Sequence, residues 1–421
     1  MLTFHGGPLH GDVRVPGDKS ISHRALLLGA LSPHPIRVTN LNPGRDVLAT
    51  ANALRAIGAR MEPDGEGAMR VQAGALQNPN EPIDCLNSGS TARMMMGVVS
   101  GANLRAQFDG DASLRRRPME PVAAHLRAFG ARIETSNGTL PATVRGTPQP
   151  QTRRFILVTP SAQIKTALLL AAAYGCTPIE ISADKGSRDH TERLLRYFGA
   201  GITFDRNGTV FATMPLAFRN IQVAGDFSAA AFFIVAATVA PGSDLLIHDT
   251  GINGSRTGLL DALREMGANI EVQNEREAGG EPVADLRVQA AALRGISVGT
   301  DLALRAIDEI LVLAVAAAFA HGETRITGVR ELRTKESDRV AAVERLLRGA
   351  GIDVETLPNG IAIRGGSPRA GGGMLETQGD HRTAMAAAAL AAGAGALSID
   401  DESSIDVSFP GFADQFHRAQ A

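Results

Sequence analysis

A short pattern that occurs five times constrains the fold of this chain more than any other feature of its sequence. Each copy has the character of an amphipathic helix ending in Leu-Arg-x-x-Gly, followed by a short alternating strand, as in LRAFGARIET and LREMGANIEV. Glycine directly after the last helical residue ends a helix because it adopts the left-handed conformation without steric cost. We therefore expect a helix, a stop and a strand around Gly58, Gly130, Gly199, Gly267 and Gly351.

A second set of segments begins with small polar residues, continues as a strongly apolar helix and ends in a turn and a strand. Six such segments follow one another at intervals of about 70 residues, and a fixed period indicates one structural unit copied several times. Six copies fill the chain of 421 residues, a length that favours more than one hydrophobic core. The apolar helices are expected to begin near Asp18, Ser88, Ser161, Asp226, Ile307 and Asp380.

The two ends of the chain complete each other in this scheme. The last copy supplies its final helix at 411–420 but no strand after it, and residues 1–15 are typical of a strand and a hairpin. The chain then starts in its second globular half, builds the first half and crosses back. We predict one half at 18–226 and the other at 1–17 plus 227–421, with a hinge of two strands near Gly17 and Gly225.

Helices that are apolar nearly all round, such as the one containing ALLLGAL, pack inside layers of other elements. We therefore predict an α/β fold with buried helices. The polar start of each helix leaves backbone N–H groups unpaired and carries a partial positive charge, which favours bound anions. Because the formal net charge of the chain is -2, anion binding has to come from local clusters of this kind.

The first such cluster is PGDKSISHR at 16–24, where a strand gives way to a helix. Lys19, Arg24 and two hydroxyls, one of them from Ser20, fall in the first turns of a buried helix and predict a phosphate or carboxylate site. The alternative is a helix cap with charges that face solvent. His23 by itself does not decide between the two.

Two further segments open apolar helices in the same way. NSGSTAR at 87–93 contains Gly89, which lets a ligand approach the backbone amides. GDHR at 379–382 precedes the last apolar helix and repeats the logic of an anion-binding start. The alternative for NSGSTAR is an ordinary N-cap cluster, and the alternative for GDHR is Asp380 as an N-cap with Arg382 solvated.

Two shorter segments give weaker signals. The run RRRP at 115–118 is expected at a helix start with Pro118 in the first helical position, although most basic runs are solvated faces. PSAQ at 160–163 offers Ser161 and Gln163 to a ligand at another helix start. Lone Ser and Gln residues at such places are normally caps.

The segment RTKESDR carries the densest charge in the chain. Helical spacing would place Lys335 and Arg339 on one face with Glu336 beside them, and like charges that close repel unless an anion lies between them. Asp308 and Glu309 stand early in the apolar helix IDEILVLAVAAAFA, where a carboxylate without a partner is costly to bury. Either residue caps the helix, or one of them serves as a base.

Taken together, these motifs resemble those of the 5-enolpyruvylshikimate-3-phosphate synthases, in the order in which that family has them. The most specific are PGDKSISHR, NSGSTAR, RRPM, PSAQ, RTKESDR and GDHR, and the likeness runs from Pro16 to Pro410. It implies a two-domain enolpyruvyl-transferase-like fold of six βαβαββ repeats, three per domain. It also implies domains that close around an active site in the cleft between them.

The resemblance further implies an activity. The enolpyruvyl group of phosphoenolpyruvate would move to the 5-hydroxyl of shikimate 3-phosphate, in the shikimate pathway of aromatic amino acid biosynthesis, and the protein would be a target of glyphosate. Asp308 would deprotonate the acceptor hydroxyl, and Glu336 would protonate the methylene carbon of the donor. Lys19 and Lys335 would lie beside the reacting atoms. This chemistry needs a base, an acid and several cations, and it requires no metal and no organic cofactor.

The same resemblance implies two sets of ligand contacts. Those with shikimate 3-phosphate would come from Lys19, Ser20, Arg24, Ser161, the backbone of Ala162, Gln163, Ser187, Asp308 and Lys335. Those with phosphoenolpyruvate would come from Lys19, Gly89, Arg117, Gln163, Arg339 and Arg382.

Three positions depart from the family's usual pattern. Val407 stands where some members have a lysine before Ser/Thr-Phe-Pro, which puts one donor contact in doubt. Ser90 replaces a commoner threonine and keeps the hydroxyl. Ala162 stands where some members have a second serine, so only its backbone N–H can act.

Three alternatives remain at this point. UDP-N-acetylglucosamine enolpyruvyl transferase shares the fold and the donor, but it typically has Lys-Asn at the first motif and a reactive cysteine on a loop, and the corresponding GDASLRRRPM has none. A nucleic-acid-binding module would need stacking platforms, and the chain has no Trp and 4% aromatic residues. A noncatalytic paralogue that binds small anions would not need Asp308, Lys335 and Glu336.

The remaining expectations concern location and partners. We see no basic and apolar leader and no apolar run near the roughly 20 residues that span a bilayer, so we expect no membrane role. Two cysteines, Cys85 and Cys176, cannot form a disulfide framework, which fits the cytoplasm. We expect a cytoplasmic monomer that binds two small-molecule substrates and no nucleic acid.

Overall fold

The computed structural model describes residues 1–150, 154–183, 186–205, 207–213 and 215–421. The chain divides into two compact units. The N-unit consists of Gly17–Ala224 and Glu277–Glu281. The C-unit consists of Met1–Pro16, Gly225–Arg276 and Pro282–Ala421.

The chain begins with two strands of the C-unit, β1 (Leu2–Phe4) and β2 (His10–Arg14). The elements of the N-unit follow in the order α1 (Lys19–Gly29), β3 (Ile36–Thr39), α2 (Arg45–Ala56), β4 (Arg60–Pro63), β5 (Met69–Gln72), β6 (Ile83–Asp84), α3 (Gly89–Gly101), β7 (Arg105–Asp109), α4 (Glu120–Phe129), β8 (Arg132–Ser136), β9 (Thr139–Arg145), β10 (Arg154–Ile156), α5 (Ala162–Tyr174), β11 (Ile179–Ser182), α6 (His190–Tyr197), β12 (Gly201–Phe204), β13 (Gly208–Thr213) and β14 (Ile221–Gln222).

The rest of the chain belongs to the C-unit, apart from the tip of one hairpin, Glu277–Glu281, which the sequence pattern did not indicate. Its elements are α7 (Phe227–Val239), β15 (Asp244–Gly251), α8 (Gly258–Met266), β16 (Asn269–Ala278), β17 (Glu281–Gln289), β18 (Ser297–Val298), α9 (Thr300–Arg305), α10 (Ile310–Ala318), β19 (Glu323–Thr327), α11 (Arg339–Gly349), β20 (Asp353–Leu357), β21 (Gly360–Arg364), β22 (Met374–Leu375), α12 (His381–Ala394), β23 (Leu397–Ile399) and α13 (Phe412–Gln420).

One sheet topology recurs in both units. The N-unit has sheets of order β14-β3-β5-β4, β6-β7-β9-β8 and β10-β11-β13-β12, and in each the first pair is parallel and the others are antiparallel. The C-unit has sheets of order β16-β17-β15-β2, β18-β19-β21-β20 and β1-β23-β22. The described residues therefore form six small sheets, and the predicted α/β fold is confirmed.

The start of the chain contributes to two of these sheets. Strand β1 pairs antiparallel with β23, with Leu2 opposite Ile399, so it completes the last sheet as predicted for residues 1–15. Strand β2 pairs in parallel with β15, with Val13 opposite Ile247. The hairpin predicted within 1–15 is therefore wrong, because its two strands pair with different partners far away in the chain.

Side-chain caps fix the start of most apolar helices. Five predicted starts are the N-caps of α1, α3, α5, α7 and α12, and each accepts a backbone N–H of the first turn: Asp18, Ser88, Ser161, Asp226 and Asp380. The sixth helix, α10, begins at Ile310 and not near Ile307. A separate short helix, α9, ends at Arg305 and displaces that start.

The helix stops and the buried helices agree with the sequence pattern. All five pivotal glycines have positive φ, between 79° and 118°. At Gly58 a Cβ would also lie 2.1 Å from the carbonyl oxygen of Ala75, so glycine is needed there for space as well. Every residue of α7 is buried. Among the helices described, none combines the length and the hydropathy that a membrane span requires.

Candidate functional site

The first predicted motif places a lysine at the start of α1. The Nζ of Lys19 lies 3.0 Å from Oδ2 of Asp46, and 18% of the lysine side chain and 13% of the aspartate side chain remain exposed. Asp46 stands in the first turn of α2, where a negative charge is favoured. The lysine is thus held by a carboxylate that the sequence did not single out, in a place that a small ligand can reach.

Arg24 lies deeper, inside the N-unit. Its Nε donates to Oγ1 of Thr191, its NH2 group to Oγ1 of Thr166 and its NH1 group to the carbonyl oxygen of Ser20, each at 2.8 Å. Burial lowers the pKa of Arg24 to about 10, although Glu192 acts in the opposite direction, so the group stays charged at neutral pH. Three of its five N–H donors are directed at protein oxygens.

A buried ion pair lies close to Ser187, which was predicted to contact shikimate 3-phosphate. The Nζ of Lys165 is 2.7 Å from Oε1 of Glu192, with 4% and 1% of the side chains exposed, and 3.4 Å from the carbonyl oxygen of Ser187. The same carboxylate accepts the hydroxyl of Thr209 at 3.0 Å. Buried charges of this kind need a partner. Lys165 therefore connects Ser187 to α5, and no sequence motif indicates this contact because the partners are distant in the chain.

The glycine segment brings several predicted residues together. A Cβ on Gly89 would lie 2.9 Å from NH1 of Arg93 and 3.5 Å from NH1 of Arg117, so two guanidinium groups face this glycine. Gln163 accepts from NH1 of Arg93 at 2.7 Å and donates to Oγ of Ser90 at 3.0 Å. Arg93 was part of the motif NSGSTAR but was not singled out. These groups form an environment suited to an anion.

The arginine run is not at a helix start. Its first two residues end the 3-10 helix Leu114–Arg116, and Arg117 is extended, with φ -83° and ψ 141°. The NH2 group of Arg117 donates to Oδ1 of Asn87. The next helix, α4, has Pro121 in its first turn, so the prediction that Pro118 occupies the first helical position is wrong.

Ser161 and Ala162 stand at the start of α5. The hydroxyl oxygen of Ser161 accepts the backbone N–H of Ile164 at 3.4 Å, which is a long cap bond. Ala162 is the first residue of the helix, where backbone N–H groups have no partner within the helix. Ser161 thus acts as the cap of α5, which was the alternative for this segment.

In the C-unit, charged side chains are buried around Arg256. This residue is not part of any of the motifs described above. Its NH2 group lies 3.2 Å from Oδ1 of Asp226 and 2.7 Å from Oγ of Ser228. Its NH1 group lies 3.6 Å from Oδ2 of Asp308 and 3.4 Å from Oε1 of Glu309. The segment GINGSRT, small and polar between a strand and a helix, was the signal that could have revealed it.

Arg339 holds three carboxylates. Its Nε lies 2.9 Å from Oδ2 of Asp380, its NH2 group 2.6 Å from Oε2 of Glu336 and its NH1 group 3.5 Å from Oδ1 of Asp308. Burial alone would lower the pKa of Arg339, but Asp380, Glu336 and Asp308 outweigh it and raise that pKa above its ordinary value. The two residues predicted to transfer protons, Asp308 and Glu336, therefore share one guanidinium group.

The two adjacent carboxylates Asp308 and Glu309 differ in their burial and in their contacts. Glu309 is fully buried, with its Oε1 3.8 Å from NH1 of Arg382, and it is the N-cap residue of α10 although its side chain makes no cap bond. Asp308 keeps 19% of its side chain exposed, and its carbonyl oxygen accepts from NH1 of Arg382 at 2.9 Å. Asp308 is thus the carboxylate that a substrate can reach.

Lys335 is not on a helix face with Arg339, contrary to the prediction. A 3-10 helix ends at Thr334, Lys335 is extended with φ -81° and ψ -155°, and α11 begins only at Arg339. Asp338 causes this, because it caps α11 by accepting the backbone N–H of Ala341 at 3.0 Å. The Nζ of Lys335 lies 2.5 Å from Oε1 of Glu331 on the surface.

Known structures and sequences resemble this chain along its whole length. EPSP synthase from Acinetobacter baumannii is 37% identical, covers 99% of this chain and 98% of its own, and superposes with a TM-score of 0.87. The enolpyruvyl transferase NikO from Streptomyces tendae, at 18% identity, 99% and 96% coverage and a TM-score of 0.80, shares the fold. The fold is thus that of the enolpyruvyl transferase class.

The sequence comparisons identify one family within this class. The family model EPSP synthase (3-phosphoshikimate 1-carboxyvinyltransferase) matches residues 4–416. A 3-phosphoshikimate 1-carboxyvinyltransferase of Desulforudis audaxviator is 46% identical over 413 residues, 96% of each chain, and one of Alkalilimnicola ehrlichii is 44% identical over 422 residues, 98% of this chain and 94% of its own. The chain belongs to the EPSP synthase family. The UDP-N-acetylglucosamine enolpyruvyl transferases considered from the sequence are not favoured.

Proposed function

We propose that the protein transfers the enolpyruvyl group of phosphoenolpyruvate to the 5-hydroxyl of shikimate 3-phosphate and releases inorganic phosphate. Membership of the EPSP synthase family supports this activity. The observation that carries the proposal is the sharing of the buried Arg339 guanidinium by Asp308 and Glu336. The reaction needs a base and an acid beside a cation that holds an anionic substrate, and this arrangement supplies them.

The acceptor is assigned to a group of residues at two helix starts of the N-unit. Lys19 at the start of α1 and Ser161 and Ala162 at the start of α5 offer an ammonium group, a hydroxyl and a backbone N–H to a phosphate. Ser187 is held by Lys165, which supports its assignment to the same phosphate. The remaining acceptor contacts are assigned to Ser20, Arg24, Gln163, Asp308 and Lys335.

The donor is assigned to arginines in both units. Gly89 and Gln163 lie beside Arg93 and Arg117 in the N-unit, which supports a site for the phosphate or carboxylate of phosphoenolpyruvate. In the C-unit the donor is assigned to Arg339 and Arg382, with Lys19 beside the reacting atoms. Val407, where some family members have a lysine, contributes no charge.

The reaction proceeds in two steps. In the addition, Asp308 accepts the proton of the acceptor hydroxyl, Glu336 gives a proton to the methylene carbon, and the acceptor oxygen bonds to the neighbouring carbon of the donor. In the elimination, the new methyl group loses a proton, the double bond forms again, and the bond from carbon to the phosphate oxygen breaks. Preorganised cations stabilise the developing charges.

The ion pair between Glu336 and Arg339 bears on the first step. A guanidinium 2.6 Å away favours the ionised carboxylate, whereas a general acid has to carry a proton. An anionic donor that binds to Arg339 competes for this guanidinium and adds a negative charge nearby, and both effects favour protonation of Glu336. Donor binding thus prepares the acid.

Release of phosphate tests the proposal. Purified protein is incubated with phosphoenolpyruvate and shikimate 3-phosphate together and with each alone, and UDP-N-acetylglucosamine replaces the acceptor in a parallel series. We expect phosphate only when phosphoenolpyruvate and shikimate 3-phosphate are both present. Release that needs UDP-N-acetylglucosamine, or no release with any pair, would show that the assignment is wrong.

We also propose that the protein acts in the cytoplasm as a monomer without a cofactor. Both cysteines, the buried Cys85 and the exposed Cys176, are free, which fits a reducing compartment. Proton transfer and charge stabilisation by side chains suffice for the chemistry. Light scattering on the eluting protein checks the monomeric state. Activity after exhaustive chelation checks that no cofactor is needed.

A further inference from the structure

One side chain of the first motif has no role in the proposed reaction. His23 lies in α1 and is fully buried. Burial, followed by the charges of Lys19 and Arg24, lowers its pKa to about 3. The imidazole is therefore neutral at physiological pH, so it provides no charge for an anion.

His23 begins a chain of hydrogen bonds that crosses three helices. Its Nδ1 lies 2.7 Å from Oγ1 of Thr50 in α2, and that oxygen lies 2.7 Å from Oγ1 of Thr91 in α3. The hydroxyl of Thr91 donates to Oγ of Ser88, the N-cap of α3, at 2.8 Å. All four side chains are buried. The first two of these bonds tie α1 to α2 and α2 to α3, and so restrict the side chains that they join.

The donor and the acceptor of each of these three hydrogen bonds can be assigned in one consistent way. Because Thr91 gives its single hydroxyl hydrogen to Ser88, it accepts from Thr50, and Thr50 accepts from an N–H at Nδ1 of His23. Donation by Thr91 to the carbonyl oxygen of Asp46 instead, at 3.2 Å, would leave the first two bonds unchanged and would make Ser88 the donor to Thr91. Nε2 of His23 is then a lone pair, and it has no partner in the described part of the chain.

The chain of hydrogen bonds ends at Ser88, next to the residues assigned to the donor. Ser88 accepts the backbone N–H of Thr91 at 3.1 Å and so sets the first turn of α3. The next residue is Gly89, which faces Arg93 and Arg117. A shift of Ser88 would move the backbone N–H groups of this turn and the glycine between the two arginines.

We propose that His23 is a positioning residue, which through Thr50 and Thr91 fixes Ser88 and holds the Gly89 turn in the place where it meets the anionic donor. The proposal rests on the proposed function, because that function assigns the donor to Gly89. Ser161 and Ser187, assigned to the acceptor, are not members of the chain. Gln163, assigned to both substrates, contacts this turn through Ser90, so loss of one of these hydrogen bonds weakens donor binding more than acceptor binding.

Thr50→Val tests the proposal, since it keeps the side-chain shape and removes the hydroxyl in the middle of the chain. We expect the KM for phosphoenolpyruvate to rise about fivefold, the factor that corresponds to one net hydrogen bond, while the KM for shikimate 3-phosphate changes less than about twofold. Thr50→Ser restores the hydroxyl and should return the donor KM to the wild-type value. The matched control is Thr238→Val in α7, where a buried hydroxyl bonds to the carbonyl oxygen of Ile234.

The two KM values separate positioning from a general loss of stability. If Thr50→Val leaves both unchanged, or raises both equally, or if Thr238→Val has the same selective effect, the positioning role is wrong. If Thr50→Val does not fold, Thr50→Cys decides by the same criterion, because a thiol is a weaker hydrogen-bonding group of similar size. A wild-type protein that is inactive with both substrates would instead contradict the proposed function, and the positioning role with it.

Discussion

Asp380 and Arg339 form a buried ion pair in which Oδ2 of the aspartate lies 2.9 Å from Nε of the arginine, and Asp380 is also the N-cap of α12. Burial alone would raise the pKa of Asp380, but Arg339 and then His381 outweigh it and hold that pKa below its ordinary value of 3.8. Asp380 thus holds two features in place: the guanidinium shared by Asp308 and Glu336, and the start of the last apolar helix.

Asp380→Asn should destabilise the protein by about 1.5–3 kcal/mol, because asparagine still caps the helix but removes the fully buried one of the three carboxylates that Arg339 holds. The matched control is Asp338→Asn, another N-cap, whose pair with Arg333 at 3.2 Å is exposed. That change should cost at most about 1 kcal/mol. Unfolding in urea at neutral pH measures both, and equal losses would contradict the account of the buried pair.

The same pair predicts a dependence of stability on pH. A carboxyl whose pKa is lower in the folded state contributes stability above its unfolded value of 3.8, and this contribution is lost as the pH falls through the folded value. The difference in unfolding free energy between wild type and Asp380→Asn should therefore shrink as the pH drops below about 4. A difference that stays constant down to pH 3 would argue against an ionised Asp380.

Lys19→Met should nearly abolish turnover and leave the fold intact. The variant keeps the length and the apolar stem of the side chain but removes the ammonium group that faces Asp46. Leaving a bound anion without its charged partner costs on the order of 2–5 kcal/mol. A variant that keeps more than about a tenth of the wild-type rate, equivalent to about 1.4 kcal/mol, would remove Lys19 from the site. An unchanged circular dichroism spectrum is the control for folding.

Gly89→Ala should weaken the binding of glyphosate more than that of phosphoenolpyruvate. The added methyl group would lie 2.9 Å from NH1 of Arg93 and 3.5 Å from NH1 of Arg117, so it takes space between the two guanidinium groups. A donor mimic that is longer than the donor has less room to adapt. The inhibition constant and the KM measured side by side give the ratio, and an equal loss for both ligands would mean that Gly89 shapes only the backbone.

The sequence was most informative where structure is local. The caps Asp18, Ser88 and Asp380 and the glycine stops were predictable, because a cap and a stop depend on a few neighbouring residues. The same reasoning failed at Lys335, where Asp338, itself a cap, starts the helix too late to include the lysine.

The partners of the charged residues were not predictable. Arg24 bonds to Thr166 and Thr191, which are 142 and 167 residues away, and no spacing in the sequence indicates such a pair. Arg256 was missed for the same reason, since its carboxylates come from the starts of α7 and α10. Motifs therefore indicated candidate site residues, whereas tertiary packing decides which of their charges meet.

Incorporation of deuterium tests the central claim most directly. When the reaction is run in deuterium oxide, we expect protonation of the methylene carbon by Glu336 to create a methyl group, and loss of a different hydrogen to leave deuterium in the vinyl position of the product. Mass spectrometry of the enolpyruvyl product should show this label only with both substrates present. Glu336→Gln should slow formation of the labelled product by about 10²–10⁴-fold, the usual contribution of a general acid. Product that forms at the wild-type rate without deuterium would contradict addition and elimination through a protonated donor carbon.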